Sequence, residues 1–134
     1  IERDYGHIIN VGSVAGLMPG GPYMATYYAT KSYVVSLTNA LAEELKLLGS
    51  RAQVHALCPG PVNTEFNDVA NVKFSLRGIS ARECVSYCID EADKGKIIIV
   101  PNMMVKAAAI ASKFVPREIV LGILARSQKS KIER

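Results

Sequence analysis

The sequence has 134 residues, of which 49% are hydrophobic and 21% charged, so it can bury one core and does not resemble a disordered segment. The net charge of +4 is concentrated near the C-terminus, since residues 1–102 carry nine Lys and Arg against ten Asp and Glu, and residues 103–134 carry seven against two. This distribution argues against a nucleic-acid-binding stripe across the fold.

Three short apolar runs predict strands at residues 7–11, 53–58 and 96–100. Each run is nearly continuous in hydrophobicity, which is typical of strands buried on both faces of a parallel sheet. Long loops are expected at residues 16–25 and 63–79, after the carboxyl ends of the first two strands, where open parallel sheets bind ligands.

Helices are predicted between the strands. The first runs from about Thr26, a candidate N-cap, to Leu48, with Gly49 as a candidate C′ residue. Its apolar stripe comprises Val34, Leu37, Leu41, Leu45 and Leu48. The second spans residues 80–93 and opens with a Ser80–Glu83 capping box. The tail predicts helices over residues 103–114 and from Pro116 to about Ser127. Strands alternating with helices indicate an α/β fold with a parallel sheet.

The strongest chemical signal is the pair Tyr27 and Lys31, which lie four residues apart and therefore on one face of a helix. A neighbouring ammonium lowers the pKa of a phenol, which makes Tyr27 a candidate general acid/base. Tyr28 is the competing assignment, but Ser32 occupies the position four residues later and provides no cation. Taken alone, a Tyr-x-x-x-Lys spacing is a weak signal because it recurs by chance.

The surrounding sequence makes the signal specific. The chain contains Asn-Val-Gly-Ser-x-Ala-Gly at residues 10–16, Tyr-x-Ala-Thr-Lys at 27–31 and Pro-Gly-x-Val-x-Thr at 59–64. In this order the segments resemble the C-terminal half of the short-chain dehydrogenase/reductase (SDR) family, and residues 7–64 carry the resemblance. The interval from Ser13 to Tyr27 is one residue longer than is common in that family.

The resemblance implies a Rossmann-type, doubly wound parallel sheet and an oxidoreductase that interconverts an alcohol and a ketone with NAD or NADP, NADP being favoured. It implies that Tyr27 transfers the proton, that Ser13 hydrogen-bonds the substrate oxygen, and that Lys31 holds the nicotinamide ribose and acts on Tyr27. The implied nicotinamide contacts also include Pro59, Gly60, Val62 and Thr64.

The family's N-terminal half is not found in this sequence, since no Gly-x-Gly-x-x-Gly-like segment follows a predicted strand. We therefore expect residues 1–102 to be the C-terminal half of the domain, with about three strands, and residues 103–134 to be a basic helical extension. The 134 residues alone are expected neither to bind dinucleotide tightly nor to turn over, and residues 7–11 are expected to form a bare apolar edge. The alternative is a non-catalytic remnant that serves as an interaction or scaffold module.

Both loops suggest an apolar substrate, through Met18, Pro19, Tyr23 and Met24 in the first and Phe66, Val69, Val72 and Phe74 in the second, although such residues can also simply cover a core. The basic tail resembles extensions of the DltE-like branch. The tail could be a helical lid, a packing arm or a weak membrane-surface contact, and the packing arm is the preferred prediction.

The cysteine count and the charged N-terminal residues bear on the compartment. Three cysteines are too few for a disulfide-stapled secreted scaffold, and no leader-like apolar run begins the sequence, so a cytoplasmic protein is expected. Cys84 and Cys88 are predicted to be core or surface thiols, Cys58 at the end of a buried strand is interpreted in the same way, and no metal site is expected. A homo-oligomer is expected for the full-length protein.

Overall fold

A computed structural model describes residues 4–64 and 78–132, with side chains described as far as Lys129. The strands are β1 (Tyr5–Val11), β2 (Arg51–Leu57), β3 (Val62–Asn63), β4 (Ile79–Ser80) and β5 (Ile98–Ile99). Strands β1, β2 and β5 form a parallel sheet in the order β1-β2-β5, and β3 pairs with β4 in a separate parallel ladder. The predicted α/β fold with about three parallel strands is confirmed.

The described residues also form four α-helices and one short 3-10 helix, of which the last two α-helices follow β5. They are the 3-10 helix Val14–Leu17, α1 (Ala25–Leu47), α2 (Ala81–Asp93), α3 (Met103–Ala111) and α4 (Arg117–Ile132). Helix α1 therefore connects β1 to β2, as the alternating strand and helix pattern predicts. None of the helices within residues 4–64 and 78–132 is both long and apolar enough to cross a bilayer.

The core lies on both faces of the sheet, because successive residues of β2 point in opposite directions. Ala56 of β2 and Cys58, the first residue after β2, pack on one face with Val35 of α1 and Val105 of α3. Leu57 packs on the other face with Cys84, Cys88 and Ala92 of α2. All three cysteines are buried free thiols, so of the core or surface positions predicted for them the structure shows the core.

Helix boundaries agree with the sequence where a side chain caps the helix. The Ser80–Glu83 capping box is present in full at the start of α2. At the end of α1, Gly49 has φ +65° and its N–H bonds the Lys46 carbonyl, so the predicted glycine terminator is confirmed. The predicted Thr26 cap is wrong, because α1 already begins at Ala25 and its N-cap, Met24, makes no side-chain cap bond.

The apolar stripe predicted on α1 is only partly buried, since Val34 and Leu45 are half-buried and Leu48 is exposed. Leu37 and Leu41 are exposed, and the buried positions of α1 are Tyr28, Val35 and Thr38. Thr38 belongs to the inner face because its hydroxyl accepts a hydrogen bond from Asn10 Nδ2 (3.0 Å) and donates to the Val34 carbonyl (2.8 Å). The Thr38 hydroxyl has a partner both as donor and as acceptor, so this polar side chain can be buried on the inner face of α1. Hydrophobic periodicity predicts an apolar residue on that face.

Candidate active site

Ser13 lies in the loop that follows β1, at the carboxyl edge of the sheet. This loop is tied to the loop after β2 by two backbone hydrogen bonds, from Gly12 N–H to the Leu57 carbonyl (2.8 Å) and from Val14 N–H to the Pro59 carbonyl (3.0 Å). Ser13 caps the 3-10 helix, and its Oγ accepts from Ala15 N–H (3.2 Å). In residues 4–64 and 78–132 the Ser13 hydroxyl donates to no acceptor, so its proton is available to a ligand oxygen.

The 3-10 helix lies directly against α1 because Gly16 has no side chain. A Cβ at Gly16 would lie 2.4 Å from the carbonyl oxygen of Lys31, well inside van der Waals contact. The Ser32 hydroxyl also donates to the Gly16 carbonyl (3.3 Å). This close approach holds the Ser13 loop next to the first turns of α1.

Tyr27 and Lys31 lie on one face of α1, as their spacing predicts. The Lys31 Nζ is 5.9 Å from the centroid of the Tyr27 ring. The same ammonium donates a hydrogen bond to the carbonyl of Val11, the last residue of β1 (3.0 Å). The end of the strand therefore holds a positive charge beside the phenol of Tyr27.

Tyr28 occupies a different environment from its neighbour. Its ring is buried and meets the Tyr27 ring edge-on, with centroids 6.3 Å apart. The Tyr28 hydroxyl accepts a hydrogen bond from Gln128 Nε2 of α4 (2.9 Å). Burial raises the pKa of Tyr28, and the Gln128 hydrogen bond offsets part of that increase. Tyr28 is thus a neutral, buried hydrogen-bonding group, and it is Tyr27 that has the cation beside it.

A cavity of about 410 Å³ brings together Ser13, Tyr27, Pro59 and Gly60. No charged side chain is among the described residues that line it. The rest of its wall is mainly apolar, with Val14, Ala15, Met18, Met24, Pro61, Met104, Val105, Ala108 and Leu124. The cavity is therefore suited to an uncharged, apolar molecule with one reactive polar group.

The remaining sequence-predicted residues lie at different distances from this cavity. Lys31 is beside Tyr27 but is not part of the cavity wall, and Val62 packs instead against the core on the α2 face. Thr64 is exposed just beyond β3. Of the two remaining first-loop residues, Pro19 does not line the cavity and Tyr23 is exposed. The second-loop residues Phe66, Val69, Val72 and Phe74 lie outside the described residues.

Sequence reasoning missed the wall that α3 and α4 contribute. Residues from both helices line the cavity, and Gln128 reaches Tyr28 across 100 positions of sequence. A contact of this separation has no local sequence pattern. The available signal was Gln128 itself, the uncharged amide of a helix otherwise rich in apolar and basic residues.

The sequence is similar to a known protein family and to several of its members. A family model described as short chain dehydrogenase matches residues 1–73. Over 62 residues the chain is 50% identical to the inactive 2-(S)-hydroxypropyl-CoM dehydrogenase 2 of Xanthobacter autotrophicus, covering 46% of this chain and 26% of the relative. Over 134 residues it is 31% identical to human 17-beta-hydroxysteroid dehydrogenase 13, covering 99% of this chain and 44% of the relative.

The fold also matches solved structures. A short-chain dehydrogenase from Sphingobium yanoikuyae in complex with NADPH superposes with a TM-score of 0.68 and 30% sequence identity, over 82% of this chain and 42% of that one. The chain thus spans less than half the length of the relatives compared here.

Proposed function

The chain belongs to the short-chain dehydrogenase family, and we propose that it carries the proton-transfer site of an NAD(P)-dependent oxidoreductase that interconverts an alcohol and a ketone. The observation that carries the proposal is the meeting of Ser13 and Tyr27 in one cavity, with the Lys31 ammonium 5.9 Å from the Tyr27 ring. In the reductive direction Tyr27 gives its proton to the carbonyl oxygen of the substrate. Ser13 donates a hydrogen bond to that oxygen, and Lys31 stabilises the phenolate that forms.

The cofactor proposal concerns the nicotinamide end of a dinucleotide. A bound nicotinamide supplies or accepts the hydride. The arrangement is compatible with it because an unused hydroxyl donor at Ser13, an ammonium at Lys31 and the Pro59–Gly60 turn lie side by side at the strand ends. We propose that residues 1–102 form the C-terminal half of such a domain and that residues 103–134 are a helical extension, of which α3 and α4 contribute to the cavity wall.

We propose an apolar ketone or secondary alcohol as substrate. The absence of charge from the described cavity wall supports it, as does the similarity over 134 residues to a protein named as a hydroxysteroid dehydrogenase.

The contacts of the C-terminal tail and of the α1 surface are also proposals. A packing arm remains the preferred role of the tail, since Val105, Ala109 and Val120 are buried, and the exposed Phe114, Ile119 and Ile123 among basic residues are compatible with an additional weak contact to an anionic membrane surface. The exposed leucines of α1 favour a homo-oligomer.

A second candidate function is a non-catalytic module of the same fold. It is favoured by one observation, that a relative 50% identical over 62 residues is named inactive. Ser13, Tyr27 and Lys31 argue against it here, because a scaffold does not require an unused hydroxyl, a phenol and an ammonium around one cavity.

Turnover by the protein expressed from its complete reading frame tests the proposal. With NADH or NADPH and a panel of apolar ketones, we expect ketone-dependent oxidation of the cofactor. Ser13→Ala removes one donor to the developing oxyanion, so kcat should fall by about 10²–10³-fold. Ser36→Ala, an exposed serine on α1, is the matched control and should leave kcat unchanged. No turnover on any ketone would favour the non-catalytic module, whereas equal kcat values for the two variants would contradict the role proposed for Ser13.

A further inference from the structure

Tyr28 and Gln128 form a polar pair in a cavity wall that is otherwise mainly apolar. Only 7% of Tyr28 and 6% of Gln128 is exposed, and Gln128 Nε2 lies 2.9 Å from the Tyr28 hydroxyl. Both residues line the same cavity as Ser13 and Tyr27. The cavity therefore has one polar group at the proposed reaction site and another where α4 meets α1.

The pair is held in place from two sides. The Tyr28 ring packs on Gly21, where a Cβ would lie 2.1 Å from a ring carbon, so that only glycine allows the contact. The loop that contains Gly21 is fixed to α4 by a hydrogen bond from Arg117 Nη2 to the Pro19 carbonyl (3.0 Å). Tyr28 and Gln128 are thus pre-positioned, which lowers the entropic cost of using them to bind a ligand.

One hydrogen bond does not use the full capacity of the pair. A phenol and a primary amide both donate and accept. With Nε2 donating to the phenol oxygen, the Tyr28 O–H and the Gln128 Oε1 have no further partner among the described residues. The amide NH2 also has a second N–H, so in either orientation of the amide the pair keeps at least one unused donor and one unused acceptor. No buried side-chain nitrogen or oxygen of the described residues lacks a hydrogen-bond partner, so the unused donor and acceptor are accessible from the cavity. A ligand that offers both an acceptor and a donor gains hydrogen bonds here.

We propose that Tyr28 and Gln128 are a second binding subsite, and that the substrate is a neutral apolar ketone or alcohol that carries a hydroxyl or carboxamide group remote from the reacting carbon. This inference rests on the function proposed above, because Ser13 and Tyr27 define the reacting end. A charged remote group is disfavoured, since no charged side chain among the described residues lines the cavity to receive it.

The test compares two ketones with the same carbon skeleton, decalone and a decalone that carries a hydroxyl on the ring remote from the ketone. Their dissociation constants are measured by titration calorimetry on the complete protein without dinucleotide, so that no reaction occurs. We expect the hydroxyketone to bind about tenfold more tightly, the gain of one well-placed hydrogen bond. Turnover of both ketones with NADH and NADPH is measured in parallel.

Two variants should abolish the preference. Gln128→Leu removes the amide, and Tyr28→Phe removes the hydroxyl while it keeps the ring on Gly21, so each should bring the two dissociation constants to within about twofold of each other. Gln53→Leu on β2 and Tyr33→Phe on α1 change the same residue types at exposed positions and should keep the tenfold preference. Thermal unfolding of every variant shows whether a change in affinity comes from loss of the fold.

The outcomes separate this inference from the proposed function. Turnover of both ketones without a binding preference, or a preference that survives in both Gln128→Leu and Tyr28→Phe, would overturn the subsite and leave the oxidoreductase proposal standing. A preference that both variants abolish, without turnover on either ketone, would support the subsite and contradict the proposed function. Failure of both ketones to bind and to react would contradict both.

Discussion

Cys58 lies directly beneath the Ser13 loop. A Cβ at Gly12 would lie 3.1 Å from its Sγ, and the Ser13 backbone N–H hydrogen-bonds the sulfur. Burial raises the pKa of the Cys58 thiol from 9.0 to about 11, although the Ser13 hydrogen bond and the Lys31 charge lower it in part. The folded protein therefore holds this thiol neutral beneath the site.

This shift predicts a loss of stability at alkaline pH. Between pH 9 and about 11 the unfolded chain releases the Cys58 proton while the folded protein keeps it, so the free energy of unfolding falls as pH rises across that interval. Below pH 9 both states keep the proton and the effect is absent. From about pH 8.5 to about pH 10.5 the wild type should lose about 2 kcal/mol more than Cys58→Ala.

Urea unfolding of both proteins at the two pH values measures this difference. Cys84 and Cys88, whose pKa values burial also raises, are present in both proteins, and their contribution cancels in the comparison. Equal losses in the two proteins would show that the Cys58 thiol ionises as easily in the folded state as in the unfolded one.

At the scale of single residues, sequence reasoning reached the groups whose positions follow from strand ends and helix spacing. Ser13 and Tyr27 meet in one cavity because one follows β1 and the other lies in the first turn of α1. Val62 and Thr64 were assigned to cofactor contacts through the family resemblance alone, and neither lines the cavity. Gln128 was not predictable, because its role depends on where α4 packs.

At the scale of elements, helix termini also divide into those that the sequence predicts and those that depend on tertiary packing. Ser80 begins α2 because its hydroxyl accepts from the Glu83 N–H (3.2 Å), while the Glu83 carboxylate accepts from the Ser80 N–H (2.9 Å). This reciprocal arrangement depends on only four consecutive residues, so the sequence predicted it. The start of α1 has no side-chain cap, so its boundary is set by packing of the preceding loop and was placed one residue late.

The capping box can be tested by one substitution. Ser80→Ala leaves the Glu83 N–H without its side-chain acceptor and should lower the free energy of unfolding by about 1 kcal/mol. Ser86→Ala, at an exposed interior position of α2, is the matched control and should change it by less than about 0.5 kcal/mol. Chemical denaturation measures both, and an equal effect of the two substitutions would mean that the cap contributes nothing to stability.

At the scale of the whole molecule, β1 and α1 both expose apolar side chains. Strand β1 pairs only with β2 among the described strands, and Tyr5, Ile8 and Val11 are all more than half exposed. The apolar edge expected for residues 7–11 is therefore present. Leu37 and Leu41 of α1 are also exposed. Hydrophobic periodicity identified these positions as apolar but could not say whether the covering surface belongs to the 134 residues.

The same reasoning predicts how the 134 residues behave with dinucleotide alone. They contain no glycine-rich strand–loop–helix segment to bind the pyrophosphate. We therefore expect no binding of NAD or NADP in the micromolar range by titration calorimetry. The protein expressed from its complete reading frame is the comparison. A micromolar dissociation constant for the 134 residues would show that a phosphate site exists outside the glycine-rich pattern.

The most direct measurement of the central claim is the kcat of Tyr27→Phe in the protein expressed from its complete reading frame, with an apolar ketone and saturating reduced cofactor. Tyr33→Phe, which removes a hydroxyl from an exposed tyrosine of the same helix, is the control. If Tyr27 transfers the proton, its variant should lose about 10²–10⁴-fold in kcat while the control keeps the wild-type value. A kcat within a few fold of wild type for Tyr27→Phe would contradict the assignment of this site.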